Sequence, residues 1–209
     1  MSFKLPKVYP ITDTTVSGLS HAEQVARLIK GGATLIQLRD KNSAPKVFAR
    51  EAEAALKVAR MNGVLLIIND RVDIAVALDA DGVHLGQTDM PVAGARRLLK
   101  AGAIIGISTH DLAQAEAAAR LPVDYVAFGP VFETQTKADH EPVAGLERLR
   151  SARAAIGDLP LVAIGGITAA NCSLAFEAGA NSVATIGALL SDPTKITENM
   201  QRMLKQTER

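Results

Sequence analysis

The sequence predicts an α/β protein built as a single (β/α)8 TIM barrel. Three observations carry this prediction. Short apolar runs alternate with amphipathic stretches along all 209 residues, the order that builds a parallel sheet with helical crossovers. Many of these runs are continuous rather than alternating, as in strands buried on both faces. Most end on a polar or glycine-rich signature, and these signatures recur over the whole chain. An open doubly wound sheet, the structural alternative, would gather them near one switch point, whereas a barrel spreads them around one mouth.

The runs read as strands are Val8–Thr12, Thr34–Leu38, Val64–Ile68, Gly82–Leu85, Ile104–Ile107, Tyr125–Phe128, Leu161–Ile164 and Ser182–Ile186. Helices fill the gaps. Ser20 with Glu23 three residues on makes a capping box, and Val25, Ala26, Leu28 and Ile29 fall on one helix face. Gly31-Gly32 stops that helix. Pro45 opens the next, which runs toward Met61 and ends near Asn62-Gly63. Pro91 opens another, Asp111 caps an Ala-rich one, Thr168 caps one ending near Gly179, and Pro193 sits near the start of the last. No linker, low-complexity tract or clear sequence repeat breaks the chain, so residues 1–209 read as one domain.

Composition bounds the function. Hydrophobic residues make up 48% but aromatics only 3%, and Trp is absent. The core is therefore made mainly of Val, Ile, Leu and Ala. With 23 basic and 22 acidic residues the net charge is +1, which gives no field for nucleic acid or a membrane surface. Cys172 is the one cysteine, so no intrachain disulfide forms, which fits a cytoplasmic protein. Met1–Pro6 lacks the apolar stretch of a signal peptide. No apolar segment approaches the ~20 residues that span a bilayer.

The strand ends carry the chemistry. Gln37, Arg39 and Lys41 are spaced by two, so on extended chain an amide and two cations share a face. Asn69-Asp70 follows one strand and Asp89 follows the next. Two carboxylates at neighbouring strand ends suit Mg²⁺, which takes one or two protein carboxylates plus phosphate oxygens and water. The alternative is that both cap helices, as Asp often does. Thr134, Thr136 and Lys137 lie in a loop after the sixth strand that runs to about Pro142, and can hold phosphate oxygens. Gly165-Gly166 and Ile186-Gly187 end the seventh and eighth strands, where barrels often bind phosphate; a plain Gly-Gly turn is the competing reading. His84 reads as core, His21 and His140 as solvent-facing, His110 as catalytic or helix-starting, and Cys172 as structural.

Taken together and in order, Tyr9-Pro10-Ile11-Thr12-Asp13, Gln37-Leu38-Arg39-Asp40-Lys41, Asn69-Asp70, Asp81 through Asp89 and Thr134-Gln135-Thr136-Lys137 resemble thiamine phosphate synthase over nearly the whole chain. The resemblance implies a catalytic barrel, a transferase. It joins 4-amino-2-methyl-5-(diphosphooxymethyl)pyrimidine to a thiazole phosphate or its carboxylate, giving thiamine monophosphate and pyrophosphate. Gln37, Arg39, Lys41, Asn69, Ser108 and Lys137 would bind the pyrimidine diphosphate, with Ser108 and Lys137 catalytic. Asp70 and Asp89 would hold Mg²⁺, and Thr134, Thr136, Gly166, Ile186 and Gly187 the thiazole phosphate. Its partners would be these small molecules, with homo-oligomerisation left open. Gly187 stands where the family usually has Ser, and Ala127 and Glu133 replace what is often Gly and Pro. Two rival readings are a thiazole tautomerase-like isomerase, which shares a stretch like Ser108-Thr109-His110, and a non-catalytic regulatory barrel that binds ligand.

Overall fold

The computed structural model describes residues 4–134 and 142–207. Its strands are β1 (Val8–Thr12), β2 (Leu35–Leu38), β3 (Leu65–Asn69), β4 (Gly82–Leu85), β5 (Ile104–Thr109), β6 (Tyr125–Phe128), β7 (Leu161–Ile164) and β8 (Ser182–Thr185). They neighbour one another in chain order, all parallel, and β8 closes on β1 through Val8 and Val183. The predicted barrel is therefore the observed one. Leu66, Ile68, Val83, Ile105 and Val162 are wholly buried, as expected of strands covered on both faces.

The helices are α1 (Thr14–Ser17), α2 (His21–Lys30), α3 (Pro45–Met61), α4 (Val72–Ala77), α5 (Val92–Leu98), α6 (Leu112–Ala118), α7 (Gly145–Ile156), α8 (Cys172–Glu177), α9 (Gly187–Leu190) and α10 (Ile196–Thr207), with a 3₁₀ turn at Pro193–Lys195. The Ser20–Glu23 capping box and the Asp111 cap form as predicted. Thr168 does not cap α8; that helix starts later, at Cys172 with Asn171 just before it, and the Asn171 side-chain Oδ1 accepts from the Thr168 amide at 2.8 Å. The buried face of α2 also differs from the prediction. It is His21, Gln24, Val25 and Leu28, while Ala26 is exposed. Two polar residues take inward positions because each finds a partner there. His21 Nδ1 lies 2.7 Å from the Thr12 hydroxyl, and Gln24 Oε1 accepts from the Asp13 amide at 3.0 Å.

Four strands, β2, β3, β5 and β8, also differ by one or two residues from their predicted bounds, and two of the shifts bear on the site. Asn69 lies inside β3 and Ser108 inside β5, so both side chains are set by the sheet rather than by a loop.

The N-terminal end of the barrel carries a repeated polar contact. Asp81, Asp124 and Asn181 each precede an even-numbered strand. Their side-chain oxygens accept from the backbone amides of Leu66, Ile105 and Leu161 on the preceding odd strand, at 2.8, 2.7 and 2.8 Å. An arginine from the helix before that odd strand clasps the same region. Arg60 donates to the Leu78 and Asp79 carbonyls, Arg96 to the Pro122 carbonyl and Asp124, and Arg153 to the Leu159 carbonyl and Asn181. Leaving one such buried amide unpaired would cost about 1–3 kcal/mol, which explains why an acceptor recurs at this position.

Among the described residues, no helix is long and apolar enough to cross a membrane.

Burial pushes the His21 imidazole below its ordinary value of 6.5, and Asp40, Glu51 and Asp13 pull the other way without reversing it. Its Nε2 has no hydrogen-bond partner and lies 3.7 Å from Asp40, so at neutral pH this contact is not an ion pair. The unfolded chain takes up the proton first as pH falls through 6.5, and the His21 contribution to stability, full above that value, is then lost. Urea midpoints should therefore fall from pH 7.5 to pH 5.5, and His21→Gln should flatten that fall; an equal slope in both proteins would contradict the assignment.

Candidate functional site

The C-terminal strand ends gather most of the predicted site residues into one mouth. Gln37, near the end of β2, points inward and is buried; its Nε2 donates to the Tyr9 hydroxyl at 3.1 Å. Arg39 and Lys41 lie beyond the strand, which ends at Leu38. Each is held by a carboxylate from a neighbouring strand end. Arg39 donates to Asp13 Oδ2 at 2.5 Å, and Lys41 pairs with Asp70. Gln37 thus points into the barrel interior, while Arg39 and Lys41 pair with carboxylates at neighbouring strand ends.

Neither Asp70 nor Asp89 is a helix cap. The residues flanking α4 and α5 at that position are Arg71 and Pro91, without a capping side chain. Asp70 sits at φ 62°, left-handed backbone that is uncommon for a side-chain-bearing residue. Asp89 folds back so that Oδ2 accepts from the Gly86 amide at 2.6 Å. Burial pushes the Asp70 carboxyl above the usual carboxylate range, Lys41 pulls it back, and Asp89 beside it pushes it further up. Two carboxylates crowded in this way fit a divalent cation, whose charge would let both ionise. Among the described residues no cluster of three or more His, Cys, Asp or Glu forms, so any cation here would draw its remaining ligands from phosphate and water.

Asn69 is buried beside Asp70, and Ser108 is half-buried on β5. The Ser108 hydroxyl lies 2.8 Å from His84 Nε2, and its carbonyl accepts from Gln87 Nε2 at 2.6 Å. His84 is a strand residue inside the barrel, as expected, but its ring is hydrogen-bonded at both nitrogens. His110 Nδ1 lies 2.7 Å from the Gly129 carbonyl, which ties β5 to the start of the sixth loop. Thr134 is half-buried at the edge of the described loop; Thr136, Lys137 and His140 lie outside the described residues.

Gly165 and Gly166 have φ of 97° and 64°. A side chain on Gly166 would meet the Glu133 carbonyl oxygen at 2.3 Å, so this glycine lets the sixth loop lie against the end of β7. The Val131 and Phe132 amides reinforce that contact, donating to the Ile164 and Gly165 carbonyls at 2.9 and 3.0 Å. Ile186 and Gly187 open the short α9. Gly187 is not among the glycines at positive φ, so its backbone does not require glycine. Cys172 is buried, and burial raises its thiol pKa, in keeping with a structural role.

Sequence reading missed Asp13, Tyr9 and Tyr125. Asp13 follows β1 as Asp70 follows β3, a signal available in the sequence. The tyrosines are the only two in the chain, and their hydroxyls meet at 3.0 Å. Nothing local in the sequence marks that meeting.

A family model described as thiamine monophosphate synthase matches residues 8–189. The chain is 41% identical over 205 residues to the thiamine-phosphate synthase of Chloroflexus aurantiacus, covering 97% of this chain and 94% of that protein. It is 43% identical over 202 residues to the thiamine-phosphate synthase of Methanocella arvoryzae, covering 95% of each. Among solved structures, the thiamine phosphate pyrophosphorylase of Pyrococcus furiosus matches with a TM-score of 0.86 at 34% identity, over 97% of this chain and 95% of that one.

Gly166→Ala would combine positive φ with a clash against backbone. We expect it to cost about 1–3 kcal/mol and to loosen the sixth loop. Thermal melts and protease cutting after Pro130 measure the two effects, and wild-type values in both would show that the loop does not rest on this glycine.

Proposed function

Because the chain belongs to the thiamine monophosphate synthase family, we propose that it joins 4-amino-2-methyl-5-(diphosphooxymethyl)pyrimidine to a thiazole phosphate, releasing pyrophosphate and forming thiamine monophosphate. It is a transferase, and the comparisons support neither the tautomerase nor the non-catalytic reading. The observation that carries the site assignment is the meeting of Lys41, Asp70 and Asp89 at neighbouring strand ends. Residues 1–209 act as one catalytic barrel in this reading, and a cytoplasmic setting suits its single buried thiol.

Gln37, Arg39, Lys41, Asn69, Ser108 and Lys137 take the pyrimidine diphosphate. Thr134, Thr136, Gly166, Ile186 and Gly187 take the thiazole phosphate. Asp70 and Asp89 would hold Mg²⁺, which when bound supplies positive charge to the diphosphate oxygens. The C–O bond to the pyrimidine methylene breaks, and its electron pair leaves with pyrophosphate. Arg39, Lys41 and Lys137 stabilise the charge that grows there. The 4-amino group shares the positive charge left on the methylene carbon, and the thiazole nitrogen then supplies a pair to form the new C–N bond. No general base is required. The protein's work is to hold both substrates in line and to keep water from the carbocation.

Purified protein with both substrates and Mg²⁺ should yield thiamine monophosphate and pyrophosphate. Lys137→Ala and Asp70→Ala should each lower kcat by at least about 100-fold while circular dichroism stays unchanged; full activity in both would refute the site. Gly187→Ser restores a hydroxyl at the start of α9. Turnover should stay near wild type and the KM for thiazole phosphate should fall; a raised KM would count against this placement.

A further inference from the structure

A buried polar chain crosses the barrel beneath the mouth. It begins at Gln37 on β2, passes Tyr9 on β1, Tyr125 on β6 and His84 on β4, and ends at Ser108 on β5. Gln37 Nε2 donates to the Tyr9 hydroxyl at 3.1 Å. The Tyr9 and Tyr125 hydroxyls are 3.0 Å apart. The Tyr125 hydroxyl lies 2.9 Å from His84 Nδ1, and His84 Nε2 lies 2.8 Å from Ser108 Oγ. The rings brace one another, Tyr9 edge-on to Tyr125 with centroids 5.8 Å apart and His84 stacked on Tyr125 at 5.5 Å. The sequence makes room for this. A Cβ on Gly106 would fall 2.0 Å from the Tyr125 ring, so the tyrosine fills the space a side chain on β5 would take.

Such a chain has a direction, and one end sets it. An amide nitrogen only donates. The Tyr9 hydroxyl, accepting from it, has its single hydrogen left for Tyr125. The Tyr125 hydroxyl, accepting in turn, directs its hydrogen at His84 Nδ1. A neutral imidazole that accepts at Nδ1 carries its hydrogen on Nε2 and donates it to Ser108. Burial raises the pKa of both phenols, so each keeps the hydrogen that this order needs.

We infer that Gln37 sets the direction of this chain, and that Tyr9, Tyr125 and His84 are positioning residues that present the Ser108 hydroxyl as a hydrogen-bond donor to the pyrimidine diphosphate. With Ser108 Oγ accepting from His84 Nε2, in this order its own hydrogen is left for the substrate. In the opposite order Ser108 would spend its hydrogen on His84 and offer the substrate only lone pairs. A donor suits a ring nitrogen or a diphosphate oxygen and is wrong for the 4-amino group, whose hydrogens need an acceptor. The substrate part of this inference rests on the proposed synthase activity; the direction of the chain does not.

The test reads the His84 ring directly. In ligand-free protein labelled with ¹⁵N-histidine at neutral pH, two-bond ¹H–¹⁵N correlations report which nitrogen carries hydrogen, and His84→Asn assigns the signal among the chain's 4 histidines. Wild type should show hydrogen on Nε2 alone. Gln37→Glu turns the end of the chain into an acceptor, and the hydrogen should move to Nδ1. Tyr9→Phe keeps the ring shape but cuts the chain; the single tautomer should give way to a mixture, with kcat about tenfold lower, as for one lost hydrogen bond. Hydrogen on Nδ1 or on both nitrogens in wild type would overturn the inference. So would an unchanged tautomer and kcat in a folded Tyr9→Phe, which covers the case where Gln37→Glu does not fold. If the tautomers behave as expected but wild type makes no thiamine monophosphate, the synthase reading falls and the directed chain stands.

Discussion

The seam between β1 and β8 is the constraint on which the molecule depends. Val8, Tyr9 and Pro10 pair with Val183, Ala184 and Thr185, and this pairing turns a row of parallel strands into a ring. Without it the strand ends would lie along a line, and residues near the start and end of the sequence could not face one cavity. With it, Tyr9 reaches across the interior to Tyr125. A parallel strand needs neighbours on both sides to satisfy its backbone, so closure also removes the two edges that an open sheet would expose.

The two ends of the ring use polar groups differently. At the N-terminal end, Asp81, Asp124 and Asn181 are committed to backbone amides, with Arg60, Arg96 and Arg153 beside them. These contacts join strands and leave little for a ligand. At the C-terminal end the charged groups are committed to one another, Arg39 to Asp13 and Lys41 to Asp70. This matches the general division of labour in such barrels between a stabilising floor and a reactive mouth.

Much of this was legible in the sequence. Continuous apolar runs fixed the strands, because burial on both faces leaves a strong compositional mark. The residues of the mouth were legible because each follows such a run. What escaped notice had no local signature. His21 looks like an exposed residue at a helix start, yet Thr12 offers its ring a buried partner. Asp70 and Asp89 looked as much like caps as ligands, since capping and coordination favour the same residue; only the backbone, with Arg71 and Pro91 at the helix boundaries, separates them. Gly165-Gly166 read as a phosphate loop or a turn, whereas Gly166 also answers to the close approach of Glu133, a contact between loops far apart in sequence. The Tyr9–Tyr125 pairing spans 116 residues and depends on the absence of a side chain at Gly106.

The pairing of Lys41 with Asp70 has a consequence for how the mouth fills. Lys41 and Asp70 neutralise one another, so a ligand that engages either group has to break this pair. An anion that drew Lys41 away would leave the Asp70 carboxylate uncompensated; a cation that took Asp70 would release the Lys41 ammonium, half-exposed, to water. A ligand that delivers both signs at once leaves neither group uncompensated. In the proposed reading a metal–diphosphate would compensate both groups, where phosphate or metal alone would compensate one.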